Sequence, residues 1–510
     1  MKVALAQVNT TVGHLEGNVE RCLAAVERAA GQGAGLVVLP EMAVPGYPPR
    51  DILFDPSFAE AVGQANTYLA QQVRHGPPVA VGSLWPSGQQ RPEHPCLYNA
   101  ALLLRDGESH LVAAKRLLPG YDVFFEPRWF LPGPALPPLE VAGRRVGFLV
   151  CEDLWDEGYD VHPPADLLAT GAELLVCLSA SPYRRGIMAQ RLYHARRPGC
   201  PVVYVNLCGG NDELIFDGRS FVVDGDGQVR ARLAAFEQDV QVIDLEAAPP
   251  EVGPDLEPEE ELFRALVLGV RDFAAKNRLR HAFLGLSGGI DSAVVAIVAA
   301  EALGPERVTA VAIPSRYSDP RSAAVARELA AALGIGFELV PLESLHAAAE
   351  EALAGLLAGG TTAENIQARL RGMILMAFVN HHGGMLLNTS NKTELALGYS
   401  TLYGDMAGGL SPLGDVTKPQ VLALARWLDA HHGPIPPFVL ERPPSAELRP
   451  DQVDPFDYPV IAPEMEQLVE MNRSDAALRR SEHKRWQMGV ILKVSAKAFG
   501  TGRWMPITRR

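Results

Sequence analysis

The stretch RRVGFLVCEDLW, residues 144–155, carries an apolar run directly into Cys151 and follows it with two acids and a tryptophan. A cysteine where a buried strand stops is either a small core residue or a nucleophile. As a nucleophile it attacks as its thiolate and needs a base or a cation beside it. Two groups of suitable type end other apolar runs in the same half of the chain: Glu41 in VVLPEMAVPGY and Lys115 in AAKRLLPGYDVFFEPRWF. Each has a plain alternative as a strand-end charge reaching water. A second chemistry-bearing stretch is FLGLSGGIDSAVV, 283–295. Here Gly288 and Gly289 let backbone N–H groups turn in on an anion, the following helix adds its positive end, and Ser287 and Ser292 can donate hydroxyl hydrogen bonds. Asp291 beside phosphates is repulsive unless a cation lies between, which points to Mg2+. The alternative is that Asp291 or Ser292 only caps the helix. The pattern GxxxxGK[ST] is absent, so γ-phosphoryl transfer of the P-loop kind is disfavoured.

The elements that must hold these residues fall into two patterns. A stretch rich in proline and acids, EAAPPEVGPDLEPEEE at 246–261, reads as an extended linker. Residues 1–245 before it alternate β-like runs with helical stretches. They include a helix over 18–31, a hairpin turning at Asp106–Gly107 and a second hairpin turning at DGDG. So many strands with interleaved helices suggest two sheets packed face to face with helices outside. Residues 262–510 instead show regular strand–helix alternation, which predicts an open, doubly wound parallel sheet with ligands at the carboxyl ends of its strands. The class is α/β throughout. At 510 residues the chain is too long for one core.

Composition is that of an ordinary globular protein, 47% hydrophobic and 21% charged. A net charge of −14 argues against non-specific nucleic-acid binding. The opening MKVALAQVNTTVG has too short an apolar run for a signal peptide, and no membrane span is expected. Six cysteines without a C-x-x-C pair make neither a disulfide framework nor a zinc site, as in a cytoplasmic protein. Cys177 and Cys208 read as core residues. The tail from Arg479 is strongly basic, with Glu482 its only acid. It reads as a solvated face or as a site for a phosphate or an acidic partner.

SGGIDS resembles the pyrophosphate-binding loop of ATP pyrophosphatases. The stretches IPSRYSDPRS (313–322), TAENIQARLRGMIL (362–375), LLNTSNKTELALGYSTLYGDMAGGLSPLGDVTK (386–418), PPSAELRPDQ (443–452) and SEHKRWQMGVILKVSAKAFGTGRWMPI resemble one branch, the NAD+ synthetases. That resemblance implies a Rossmann-like sheet of the adenine nucleotide alpha hydrolase type. It implies ATP on Gly285, Leu286, Ser287, Gly288, Gly289, Ile290, Asp291, Ser292 and Thr389, and Mg2+ on Asp291 and Glu394. It also implies deamido-NAD+ on Asn365, Glu394, Tyr399, Ser400, Thr401, Leu402 and Lys484.

In the first half, Glu41, Lys115 and VCEDLW together resemble the Glu–Lys–Cys set of nitrilase-like amidases, and the half as a whole resembles the glutaminase domain of glutamine-dependent NAD+ synthetases. An α-β-β-α sandwich follows from that, with Tyr121, Glu126 and Ser181 near glutamine. Relatives often carry a basic residue at the position of Ile187; here the bases of that stretch are Arg184, Arg185 and Arg191. The activity implied is ATP-dependent conversion of deamido-NAD+ to NAD+ through an adenylate. Ammonia would come from L-glutamine and reach the second site by a shielded path, and AMP, PPi and glutamate would leave. The resemblance further implies small-molecule substrates as partners, with no nucleic acid and no membrane, and a homo-oligomer, dimer or octamer. A stand-alone amidase with a degenerate second half and a nucleotide-sensing scaffold are the rival readings. A thiolating RNA-modifying pyrophosphatase would need a cysteine beside the loop, and 209–510 contains none.

Overall fold

The computed structural model describes all residues except 92–93, 249–252, 358–359, 434, 488–489, 497 and 499–510. The chain divides into two compact units. One comprises Met1–Asn211 with Ile215–Asp255, the other Asp212–Leu214 with the chain from Leu256 onward.

The first unit contains two six-stranded sheets. Its strands are β1 Lys2–Gln7, β2 Leu36–Val38, β3 Val79–Pro86, β4 Leu97–Arg105, β5 Glu108–Ala114, β6 Leu139–Val141, β7 Arg144–Val150, β8 Leu174–Ser179 and β9 Val202–Asn206. A two-stranded ribbon follows, β10 Cys208–Asn211 and β11 Leu214–Asp217, then β12 Phe221–Val223, β13 Val229–Arg232 and β14 Asp239–Asp244. One sheet runs β14-β1-β2-β3-β4-β5 and the other β13-β12-β9-β8-β7-β6. In the first, β1, β2 and β3 are parallel; in the second, β7, β8 and β9 are.

Residue alternation assigns each strand's two faces. Phe148 and Val150, Leu174, Val176 and Leu178, and Val203 and Val205 join Val3, Leu5, Leu36 and Leu103 in the core between the sheets. Their neighbours Leu149, Leu175, Cys177, Val202 and Tyr204 form a second core with Leu167 and Met188. Those two residues lie on helices α3 (Pro163–Ala169) and α4 (Ile187–Arg196), while α1 (Leu15–Gly31) and α2 (Pro56–Gln72) pack on the other sheet. The unit is an α-β-β-α sandwich. Both faces of each central strand are buried, which is why those strands read as unbroken apolar runs.

In the second unit, α5 Pro258–Lys276 begins inside the stretch expected as linker. Proline at its first position and three glutamates in its first turn suit a helix start, so 258–261 is helix and the expected linker over 246–261 is shorter. The sheet of this unit is built from β15 Ala282–Gly285, β16 Val308–Ala312, β17 Gly336–Leu339, β18 Met385–Leu387, β19 Leu410–Ser411 and β20 Val490–Ile491. It is parallel throughout, in the order β17-β16-β15-β18-β19-β20. Helices α6 Ile290–Leu303, α7 Pro320–Leu333, α8 Glu343–Ala352, α9 Thr361–His382, α10 Lys392–Leu397 and α11 Lys418–His431 intervene. Strand order reverses between β15 and β18, so the loops leaving these two strands diverge and open a crevice.

Candidate functional site

In the first unit the candidate side chains stand where strands end. Glu41 lies three residues past β2, Lys115 directly follows β5, and Cys151 directly follows β7. Glu41 is fully buried. Its Oε1 accepts from Asn99 Nδ2 at 2.6 Å and Lys115 Nζ at 2.9 Å, and its Oε2 accepts from the Ala180 N–H at 2.7 Å. The turn that holds Glu41 needs an absent side chain opposite: a Cβ on Gly82 of β3 would lie 2.4 Å from the Pro40 carbonyl oxygen and from Glu41 Cα. Lys115 also donates to Glu126 Oε1 at 2.8 Å, where the Tyr47 hydroxyl donates at 3.2 Å. The other oxygen of Glu126 is buried with no hydrogen-bond partner. Burial, opposed by Lys115, pushes the Glu126 carboxyl up to about 7. Burial pulls the Lys115 ammonium down, but Glu126 and Glu41 outweigh it and its proton is held well above the ordinary range.

Cys151 opens a 3-10 turn, Cys151–Leu154, with φ +46°, a left-handed conformation strained for a residue with a side chain. Burial and the Glu41 charge push its thiol up while Lys115 pulls it down, so the three groups share one electrostatic environment. Cys177 faces the helix-side core, with its thiol near the Cys151 carbonyl and the Ser179 hydroxyl. Cys208 is buried as expected. Tyr121 is half exposed, and its hydroxyl donates to both Glu152 oxygens at 2.9 Å; Tyr159 donates to the same carboxylate. Ser181 is buried among Asn206 and Arg191. Arg191 itself is fully buried in a bidentate pair with Asp217 at 2.8 and 2.9 Å. Ile187 is buried at the start of α4, and Arg184 donates to Gln190.

In the second unit a cavity of about 350 Å3 opens at the reversal of strand order, lined by 285–287 and 289–292, by 387–390, and by Glu394, Lys418 and Arg371. Gly288 has φ +75°, and α6 is capped by Gly289 with no side-chain cap, so neither Asp291 nor Ser292 serves as the cap. Ser292 Oγ instead donates to the Gly289 carbonyl at 2.9 Å and receives the Ser287 N–H at 3.3 Å. The Asp291 carboxylate accepts from Asn391 Nδ2 at 2.9 Å and from the Lys418 ammonium, which also reaches Glu394 Oε1 at 3.4 Å. Burial, with Asp291 nearby, pushes Glu394 up to about 7. Among the described residues no group of three or more His, Cys, Asp or Glu is arranged to hold a metal. Asp291 and Glu394 are hard carboxylates bridged by the Lys418 ammonium, and carboxylate oxygen is the donor type a divalent cation such as Mg2+ takes.

Thr401 donates to Asn365 Oδ1 at 2.8 Å, and the Lys484 ammonium donates to the carbonyls of Gly398 and Ser400 at 2.9 and 2.8 Å, so these expected residues gather round one loop. Leu402 offers its carbonyl to Arg369, Tyr399 accepts from Gln452, and Ser400 Oγ is buried with no partner. Of the basic tail, Lys497, Arg503, Arg509 and Arg510 lie outside the described residues.

The sequence reading missed Asn99, Tyr47 and Glu152 in the first unit and Lys418, Asp405 and Arg371 in the second. Lys418 carried a signal: it is the first residue of α11, where the helix dipole disfavours a cation. Burial pushes Asp405 up to about 6 and pulls Arg371 down.

Two family models match these units: carbon-nitrogen hydrolase over residues 2–248 and NAD synthase over residues 262–497. The class is therefore a carbon-nitrogen hydrolase fused to an NAD synthase. The chain is 40% identical to the glutamine-dependent NAD(+) synthetase of Synechocystis sp., over 99% of this chain and 98% of the relative. It is also 40% identical to that of Rhodobacter capsulatus, over 100% and 98%. The solved glutamine-dependent NAD+ synthetase of Acinetobacter baumannii in complex with ADP superposes with a TM-score of 0.81 at 31% identity, covering 99% of this chain and 98% of that one. The chain belongs to the glutamine-dependent NAD(+) synthetase family.

Proposed function

We propose that residues 1–245 release ammonia from L-glutamine through Glu41, Lys115 and Cys151, and that residues 262–510 use it to amidate deamido-NAD+ to NAD+ with ATP. The observation that carries this reading is the buried Lys115–Glu41 pair beside a strained cysteine at the strand ends, in a chain alike over its whole length to glutamine-dependent synthetases.

The Cys151 thiol is held protonated by burial, so a base must take its proton as sulfur attacks. Glu41 takes it. Sulfur bonds to the carboxamide carbon, and the oxyanion is met by the Lys115 ammonium and the peptide N–H after Cys151. Glu41 returns the proton to the departing nitrogen and ammonia leaves a thioester. Glu41 then deprotonates a water, which adds to the thioester; glutamate leaves and the thiol is restored. Tyr121, Glu126 and Ser181 are assigned to holding glutamine, through the Tyr121–Glu152 contact and the Arg191-anchored turn at Ser181.

In the second unit the loop 285–292 and Thr389 hold ATP. A carboxylate oxygen of deamido-NAD+ attacks the α-phosphorus, PPi departs, and ammonia displaces AMP from the acyl carbon. Asn365, Glu394, Tyr399, Ser400, Thr401, Leu402 and Lys484 form the deamido-NAD+ side. Asp291 and Glu394 would hold Mg2+, which would neutralise charge on the phosphates. The chain is proposed to act in the cytoplasm as a homo-oligomer. The six cysteines are thiols, which supports a reducing compartment, and no described helix is long and apolar enough to cross a membrane.

The test is Cys151→Ala, assayed for NAD+ and AMP with glutamine or ammonium as donor. Glutamine-dependent synthesis should vanish and ammonium-dependent synthesis persist; equal loss of both would refute the division of labour.

A further inference from the structure

We infer that Asp153 is a positioning residue that sets Lys115 against Cys151 by stapling the two sheets of the first unit at their catalytic end. Its carboxylate is buried and accepts three backbone N–H bonds. Oδ1 takes Arg116 at 2.8 Å and Leu117 at 3.0 Å; Oδ2 takes Val150 at 3.2 Å. Arg116 and Leu117 directly follow Lys115, and Val150 directly precedes Cys151. The lysine arm, β5, belongs to one sheet and the nucleophile strand, β7, to the other.

Between the sheets the core contact is apolar and non-directional, and the other polar links across them, such as the Ala180 N–H to Glu41 and the Ser220 N–H to Gln7, do not reach the 116–117 backbone. Apolar contact fixes the separation of two sheets better than their sliding. The point is sharper here because a cavity of about 250 Å3, lined by Ala114, Arg116, Leu149 and Asp153, lies beside the staple. Side-chain packing is therefore incomplete on the Arg116 side of this backbone, although Leu117 itself is buried. Capping of the 3-10 turn accounts for the bond to Val150, but not for the two bonds that cross to the lysine arm.

The inference rests on the reading of Glu41, Lys115 and Cys151 given above. In Asp153→Asn one carboxylate oxygen becomes an NH2 that cannot accept, so the link to one of the two arms is lost. Glutamine hydrolysis should lose about 100-fold in kcat, the cost of a displacement on the order of 1 Å. The KM for glutamine should stay within about threefold. Alkylation of Cys151 by iodoacetamide, read by mass spectrometry of its peptide, should move to higher pH as the ammonium withdraws from the thiol. Ammonium-dependent synthesis should be unchanged.

A purely stabilising role predicts something else. Activity would fall only in proportion to the folded fraction seen by circular dichroism, and the alkylation profile would not move. That result overturns the inference. If the variant does not accumulate, hydrogen exchange on the wild-type chain decides. Amides 116 and 117 should be protected as well as those of β7, and free exchange there overturns the staple. Glutamine hydrolysis that survived in Cys151→Ala would instead refute the nucleophile assignment, whatever Asp153→Asn does.

Discussion

Gly288→Ala probes the loop proposed to hold the ATP phosphates without altering any charge. Gly288 has φ +75°, and a Cβ there would lie 2.7 Å from the Ser322 carbonyl oxygen and 3.0 Å from Ser322 Cα. The left-handed backbone alone costs a residue with a side chain about 1–2 kcal/mol. The backbone contact adds to this, because Ser322 cannot easily yield. It sits in the first turn of α7, and its hydroxyl is held by Glu447 and Arg442 at 3.0 and 2.9 Å. A total strain of roughly 2–3 kcal/mol must be relieved by displacing the loop, which at ~1.4 kcal/mol per tenfold amounts to about 30- to 140-fold in apparent ATP affinity. The assay is AMP formation against ATP concentration with ammonium as donor, beside basal glutamine hydrolysis, which should be spared. Gly289→Ala is the control: its φ is −95°, and its Cβ would meet only the Ser287 hydroxyl at 3.2 Å, so its KM should stay within about threefold. A folded Gly288→Ala enzyme with wild-type KM and kcat would refute the placement of ATP phosphates on this loop.

Glu126 is raised from 4.5 to about 7, so the folded state holds its proton more tightly than the unfolded chain. The stability it contributes is fully present below pH 4.5 and is lost as pH rises through about 7, a loss on the order of 3 kcal/mol. Glu126→Gln should abolish that part of the pH dependence, and equal shifts of the urea midpoint between about pH 5 and pH 8 in both proteins would count against it. Asp217→Ala strands the fully buried Arg191 cation and should destabilise the first unit by about 3–5 kcal/mol. A change below about 1 kcal/mol in denaturant unfolding would show that the pair is dispensable. Lys392 is buried against Asp415 at 3.0 Å, and the same carboxylate accepts the backbone N–H groups of Val494 and Ser495. Lys392→Met should therefore loosen 493–495, read as faster hydrogen exchange there, whereas unchanged protection would show that the ion pair does not hold that segment.

The fold class and the strand ends and loop that carry the candidate residues were legible because they rest on local patterns. An apolar run stops at Cys151, and two glycines precede a helix at 290. What was not legible depends on neighbours distant in the chain. Cys151 and Cys177 both sit in unbroken apolar runs, and burial of both strand faces erases the alternation that would have told the inter-sheet cysteine from the helix-facing one. Whether Asp291 caps α6 could not be decided locally, because its actual partners, Asn391 and Lys418, lie 100 and 127 residues away. The end of the linker was set too late, at 261, since the acids of 257–261 suit an extended linker as well as a first helical turn.

Gly82 touches no reacting atom, yet its missing side chain is what lets β3 close on the turn of Glu41. A saturation library scored for growth on glutamine would therefore report this position as intolerant as a nucleophile. Selection there would act on an empty volume, and no inhibitor or substrate analogue would reveal why.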